Sequence, residues 1–358
     1  MKKTLLLTSI LLASSAFADA NQPSSAPTPN HNQQNFVQSI LNNVIERDTA
    51  QVIKASQALK TALQDSTKRE RSEKVCQAFD TLIRSWKMVQ TAYVAGELET
   101  DMLDTPRLID AYHDGKENLQ TQLERALKSG DAAKVALFKN TFKSITALEF
   151  YLYADKELSK TERDYAIYTL DTLIKHFKDI ENTYKKHEKD FTDDSDVAMS
   201  HVLNALIDSS YKMKEWRVGD PAGLSRKYKD EPNNKHQEYP YSQESLAALE
   251  AILSIHADMM AERPYPNLGN EAIKQGAQEE VTLIRQLIAK AQKQVKDLQK
   301  DFGVRVNKQA CHKDNAVDFA SPDMKPLYQT LGDLNDAYYQ SLVKALPVQA
   351  KILDADGD

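Results

Sequence analysis

Proline is absent between Pro29 and Pro106 and again between Pro106 and Pro221, and the chain of 358 residues holds only 10 glycines. Proline breaks a helix interior and glycine weakens one, so stretches this free of both favour long helices. Apolar residues recur inside them at steps of three and four. Val281, Ile284, Leu287/Ile288, Ala291, Val295, Leu298 and Phe302 draw one stripe. Ile167, Leu170, Leu173/Ile174, Phe177, Ile180 and Tyr184 draw a second, and Phe36, Ile40 and Val44 begin a third that continues over residues 52–63. That period is helical, and no segment shows a convincing period of two. The spacing predicts an all-α fold of long antiparallel helices, over roughly 35–66, 70–95, 106–128, 131–155, 161–190, 195–217, 242–262, 270–301 and 323–345.

The N-terminus reads as an export signal. Met1-Lys2-Lys3 is basic, residues 5–12 are apolar but too short to span a bilayer, and Ala16-Phe17-Ala18 fits a cleavage site after Ala18. No cysteine lies near the cut, which excludes a lipoprotein anchor. The expected location is the periplasm. Residues 19–34, rich in Asn, Gln, Ser and Pro, read as a flexible leader. The expected organisation is then a first helical bundle over 35–217, an irregular connection over 218–241, and a second bundle over 242–358, with helices shared between halves allowed. Thr146-Ala147-Leu148-Glu149 and Ala247-Ala248-Leu249-Glu250 echo each other and hint at duplication.

Formal net charge is −6, and removal of Lys2 and Lys3 makes it −8. That balance argues against nucleic acid and against anionic membrane surfaces. No later run is apolar enough for stable membrane insertion. Cys76 and Cys311 are the two cysteines. They either pair, as export permits, or stay as two buried thiols, and they lack zinc-ribbon spacing.

Residues 142–153 place one carboxylate, Glu149, in an otherwise almost wholly apolar run. A helix apolar on most sides is normally buried, and a buried carboxylate needs a partner or a ligand. Glu149 is therefore either an anchored structural group or part of a binding site. Asp110, His113 and Glu117 would share one face if 106–128 is a helix, and His113 with Glu117 has a spacing that two ligands of one cation can use. The competing reading is a solvated face. His256, Met259 and Met260 suggest either core filling or a soft-metal site. There is no His-Glu-x-x-His, Gly-x-Ser-x-Gly or P-loop motif.

Five blocks resemble the imelysin family of exported bacterial proteins: residues 86–96 from Trp86, residues 104–113 with Arg107, residues 142–153, Trp216-Arg217-Val218-Gly219-Asp220-Pro221-Ala222-Gly223, and residues 241–246. The resemblance implies an all-α pair of related bundles with a site between them, an association with iron uptake, and a history of description as a peptidase. In the family signature Gly-x-His-x-x-Glu, Ser144 stands at the glycine, Thr146 at the histidine and Glu149 at the glutamate. A threonine hydroxyl is a poor metal ligand and no general base near neutral pH, so the peptidase expectation weakens.

The resulting expectation is a periplasmic binding or accessory protein connected with uptake of iron or another transition metal, with iron-uptake membrane components as partners. Its ligand residues would be Glu149, Thr146, Ser144, Trp86, Arg107, Asp220, Ser242 and Ser245. Metal, if ligated directly, would draw on Glu149, Asp110, His113 and Glu117. The alternatives are a metallopeptidase and a structural, partner-binding protein of the cell envelope.

Overall fold

The computed structural model describes residues 36–66, 71–113, 118–302 and 316–348. The signal segment, the leader, Glu117 and Cys311 lie outside the described residues. Among the described residues the chain is helix and turn, with no strand, as the helical spacing predicts. All of them belong to one unit, Gln34–Asp358. Cys76 is not a free thiol. No described helix is long and apolar enough to cross a membrane.

The main packing elements are α1 (Arg47–Asp65), α2 (Glu73–Thr91), α3 (Ile145–Tyr153), α4 (Lys160–Lys186), α5 (Ser195–Lys212), α6 (Ser245–Met260), α7 (Gln278–Asp301) and α8 (Met324–Asp336). Local chemistry sets several starts. Ser72 accepts from the Val75 amide at the head of α2, and Asp194 accepts from two amides at the head of α5. Ser159 and Glu162 satisfy each other's backbone amides in a capping box before α4.

α1 packs on α2 and α4, while α6 packs on α2 and α7. α7 in turn meets α8, and α8 meets α5 with its π-helical continuation, Met213–Gly219. The α2–α6 seam joins these groups, tied at its edge by Arg84 and Glu250 at 2.7 Å. α6 is buried on nearly every face, which explains its almost continuous apolar sequence. The buried apolar side chains form one contiguous cluster that runs through all of these helices.

Several expected helices are interrupted. The one over 106–128 stops after Thr105–Ile109 and a new one begins at Leu119–Ser129. Asp110 leaves the helix at φ −133° because its own carboxylate takes the Tyr112 amide in an Asx turn. The shared helical face proposed for Asp110 and His113 therefore does not exist. The stretch 131–155 divides into Ala133–Ala136, a 3-10 turn over Asn140–Lys143, and α3. The stretch 270–301 divides at Gly276, whose φ of +99° ends the short helix Leu268–Lys274. Asp220, expected in an irregular loop, instead sits in a helical turn (Asp220–Ala222) that prolongs α5.

Candidate functional site

The floor of the site is a buried charge network. Lys87 on α2 is fully buried, and its ammonium donates to Asp110 Oδ2 (2.6 Å), Glu238 Oε1 (2.5 Å) and Gln90 Oε1 (2.9 Å). Arg217, from the π-helical turn, donates from Nε to Glu238 Oε2 at 2.9 Å and from Nη2 to Gln90 at 3.1 Å. Asp110 also accepts from Trp86 Nε1 (3.0 Å), Thr146 Oγ1 (3.1 Å) and the Tyr112 amide (3.0 Å). Burial works to raise the Asp110 pKa, but the Lys87 ammonium and the hydrogen bonds from Lys87, Trp86 and Tyr112 outweigh it and hold the carboxyl below its ordinary value. Burial likewise opposes the Arg217 charge, and Glu238 outweighs it. Two cations thus offset two carboxylates, and each carboxylate accepts hydrogen bonds on both oxygens. That is the condition under which buried charge is tolerated.

Glu149 stands apart from this network. It is 1% exposed on α3. Its Oε1 accepts from the Ser242 hydroxyl (2.7 Å), the Ser242 amide (2.8 Å) and the Tyr241 amide (3.1 Å). Among the described residues no hydrogen bond reaches its Oε2. Burial raises the carboxyl pKa to about 8, although the Ser242 and Tyr241 bonds pull it down. Glu250, its echo on α6, has Arg84 instead and is partly exposed. The two glutamates of the repeated triplet occupy different electrostatic situations.

Glu149 borders a cavity of about 330 Å³, with Thr146, Tyr112, His113, Asp220 and Tyr241 among its walls. The Asx turn at Asp110 throws His113 into the left-handed region, φ 66°. Its Nε2 lies 2.7 Å from Asp220 Oδ2, and its ring stacks on Trp216 at 4.2 Å and 5°. The Tyr112 hydroxyl lies 2.7 Å from the Trp216 carbonyl oxygen and 3.1 Å from that of His236. Residues 110–113, 146–150, 216–220 and 236–242 therefore meet here, although they are far apart in sequence.

The residues singled out from sequence fall into distinct places. Glu149, Thr146, His113 and Asp220 line the cavity, and Asp110 lies just beneath it, bonded to Thr146. Ser242 holds Glu149 from behind. Trp86 is fully buried, with its indole N–H on Asp110 and its ring against Phe177. Ser245 shapes the 237–245 turn by accepting the Tyr239 amide. Ser144 is the N-cap of α3, accepting from the Ala147 amide at 3.2 Å, and does not line the cavity. Arg107 does not line it either; its side chain is 74% exposed beside Asp104. Glu117 lies outside the described residues.

Lys87, Arg217, Glu238 and Tyr241 were not singled out. For Lys87 a signal existed: it follows Phe79 and Ile83 at four-residue steps, which puts a charge inside an apolar stripe. The dipeptide Asp114-Gly115, itself outside the described residues, is a sequence-level stop signal against a helix through 106–128. Glu238 carries no such mark, since its neighbours read as polar loop.

Among the described residues no group of three His, Cys, Asp or Glu side chains gathers as a cation site. Near the cavity, His113 is engaged with Asp220, and Asp110 is engaged with Lys87. The described side chains here do not fit a bare, multiply ligated ion. His256 is fully buried, with Nδ1 3.1 Å from the Tyr338 hydroxyl and Nε2 3.2 Å from that of Ser209, so its nitrogens are occupied. Met259 and Met260 are core.

No curated protein matches the chain. Among solved structures, an imelysin-like protein from Psychrobacter arcticum is similar, with a TM-score of 0.68 at 16% identity over 88% of this chain and 96% of that one. A protein assigned as an iron-regulated protein A precursor, from Parabacteroides distasonis, gives a TM-score of 0.55 at 12% identity over 85% of this chain and 94% of that one. At such identities these likenesses show the fold. The Imelysin family model (peptidase M75) matches residues 46–330, most of the chain and every wall of the cavity. The chain belongs to the imelysin family.

Proposed function

We propose that this protein is an exported, periplasmic binding or accessory protein connected with iron uptake, and that its ligand occupies the cavity over Glu149. The observation that carries the reading is the division of labour on one carboxylate. Oε1 is held by three donors from the 241–242 turn, Oε2 takes no hydrogen bond among the described residues, and Glu149 lines a cavity of about 330 Å³. That volume is in the range of small-molecule sites. The iron connection is supported by the description of the Parabacteroides distasonis neighbour and by the family resemblance. Iron would be cargo, arriving as a chelate or with an organic ligand, because the described side chains assemble no cluster for a bare ion. Export is supported by the basic, apolar and small-residue pattern of the first 18 residues. Membrane components of iron uptake are the natural recipients.

The peptidase alternative gains nothing at this site. A hydrolytic role asks for a base within reach of a bound water, and the position of the signature histidine carries Thr146, whose hydroxyl donates to Asp110.

The test is calorimetric titration with ferrous and ferric iron, each bare and as a citrate chelate, and with haem. We expect saturable binding of an iron chelate, with ferrioxamine B, whose chelate carries a pendant ammonium, titrated beside the others, and its loss in Glu149→Ala. If no form of iron binds, or if that variant binds as the parent does, the reading is wrong.

A further inference from the structure

Among the described residues, the buried charges around the cavity are matched in pairs, with one exception. Glu238 is held by Lys87 and Arg217, and Asp220 faces His113 at 2.7 Å. Glu149 has no cationic partner among the described residues. The titratable groups that act on it or feel it are Glu244, Tyr153, Tyr239 and Tyr241, and none of these is a cation. Lys235 also borders the cavity but is exposed. Phe150 and Tyr241 flank Glu149 as a pair of rings, edge to face at 5.6 Å, and Tyr112 and Tyr228 add aromatic wall. A buried carboxylate with an open oxygen, set among aromatic faces, is the arrangement that recognises an organic cation.

We infer that the ligand of this cavity presents an ammonium or guanidinium group, which docks against Glu149 Oε2 beside the Phe150 and Tyr241 rings. The inference rests on the reading of the cavity as a ligand site and narrows it to a chemical class. Binding has a proton balance. With its pKa raised to about 8, Glu149 is mainly protonated at pH 7 in the free protein. Three donors crowd Oε1, so the proton resides on Oε2. A docking cation displaces that proton to the solvent, whereas a ligand that offers only acceptors leaves it in place.

The experiment titrates the purified protein at pH 7 with agmatine, butylguanidinium and butylammonium, and with pentanoate and pentanol as anionic and neutral counterparts. Each is run in phosphate and in Tris, whose different ionisation heats report proton release. We expect the cations to bind saturably, releasing about one proton per site, with neither counterpart competing. In Glu149→Gln the cation affinity should fall at least about tenfold and the proton release should vanish. Preference for pentanoate, or cation binding without proton release, overturns the inference, and neither readout requires a variant. Ferric citrate and haem are run alongside. If one of them binds and the cations do not, the cationic class is wrong while the cavity remains a ligand site. If nothing binds, both readings fall.

Discussion

At Glu149 the competition between burial and three donated hydrogen bonds is won by burial, so the folded protein holds this proton more tightly than the unfolded chain does. The pKa rises from 4.5 to about 8. The sign follows from linkage: the stabilisation is fully present below pH 4.5 and is lost as the pH rises toward 8. His256 acts in the opposite sense. Burial lowers its pKa from 6.5 to about 3, so its contribution is present above pH 6.5 and is lost as the pH falls toward 3. Glu149→Gln, which cannot ionise, isolates the first effect. We expect the urea midpoint of the parent protein to fall relative to that of Glu149→Gln between pH 5 and pH 8, and parallel profiles would contradict the assignment. The apolar run around Glu149 made its burial legible. Its environment was not, because the donors come from Tyr241 and Ser242, more than ninety residues away.

At the scale of elements, the site depends on helices that stop where they must. Asp110 ends one by capturing the Tyr112 amide, and this frees Tyr112 and His113 to wall the cavity. Periodicity alone runs a helix through this point, because a side chain that competes with the backbone leaves the apolar spacing unchanged. On the opposite wall, the helix that carries Trp216, Arg217 and Asp220 ends at Gly223, which has φ +66°. A Cβ there would stand 2.6 Å from the Pro232 nitrogen. Gly223→Ala is therefore opposed by both conformation and space, and we expect it to cost about 2 kcal/mol or more by chemical denaturation. Gly130 has a similar φ of +73° but nothing within 4 Å of such a Cβ, so Gly130→Ala is the control with backbone strain alone.

Across the whole molecule, Lys87 ties its helix to two distant segments through Asp110 and Glu238, and it also donates to Gln90 one turn along the same helix. It is fully buried at the helix that contacts both α1 and α6. Removing its charge leaves buried Asp110 without a paired cation and Glu238 with Arg217 alone. We expect Lys87→Met to lower global stability by about 3–5 kcal/mol, read as a shift in the urea midpoint. The contiguous apolar core makes that loss a property of the whole described unit. A shift under about 1 kcal/mol would mean that the network adds little beyond its hydrophobic surroundings.

Helix content, the buried faces of α4 and α7, and the burial of Glu149 were all set by sequence alone. Each follows from local spacing, which a single stretch of chain carries in full. Tertiary structure alone decided that Asp110 and Trp86 belong to the floor, that Lys87 and Arg217 share Glu238 between them, and that Ser144 caps a helix while Ser242 steadies the carboxylate. Those roles depend on which partners arrive from remote segments. A buried charge takes its meaning from the charges and donors beside it, and no local pattern encodes their arrival.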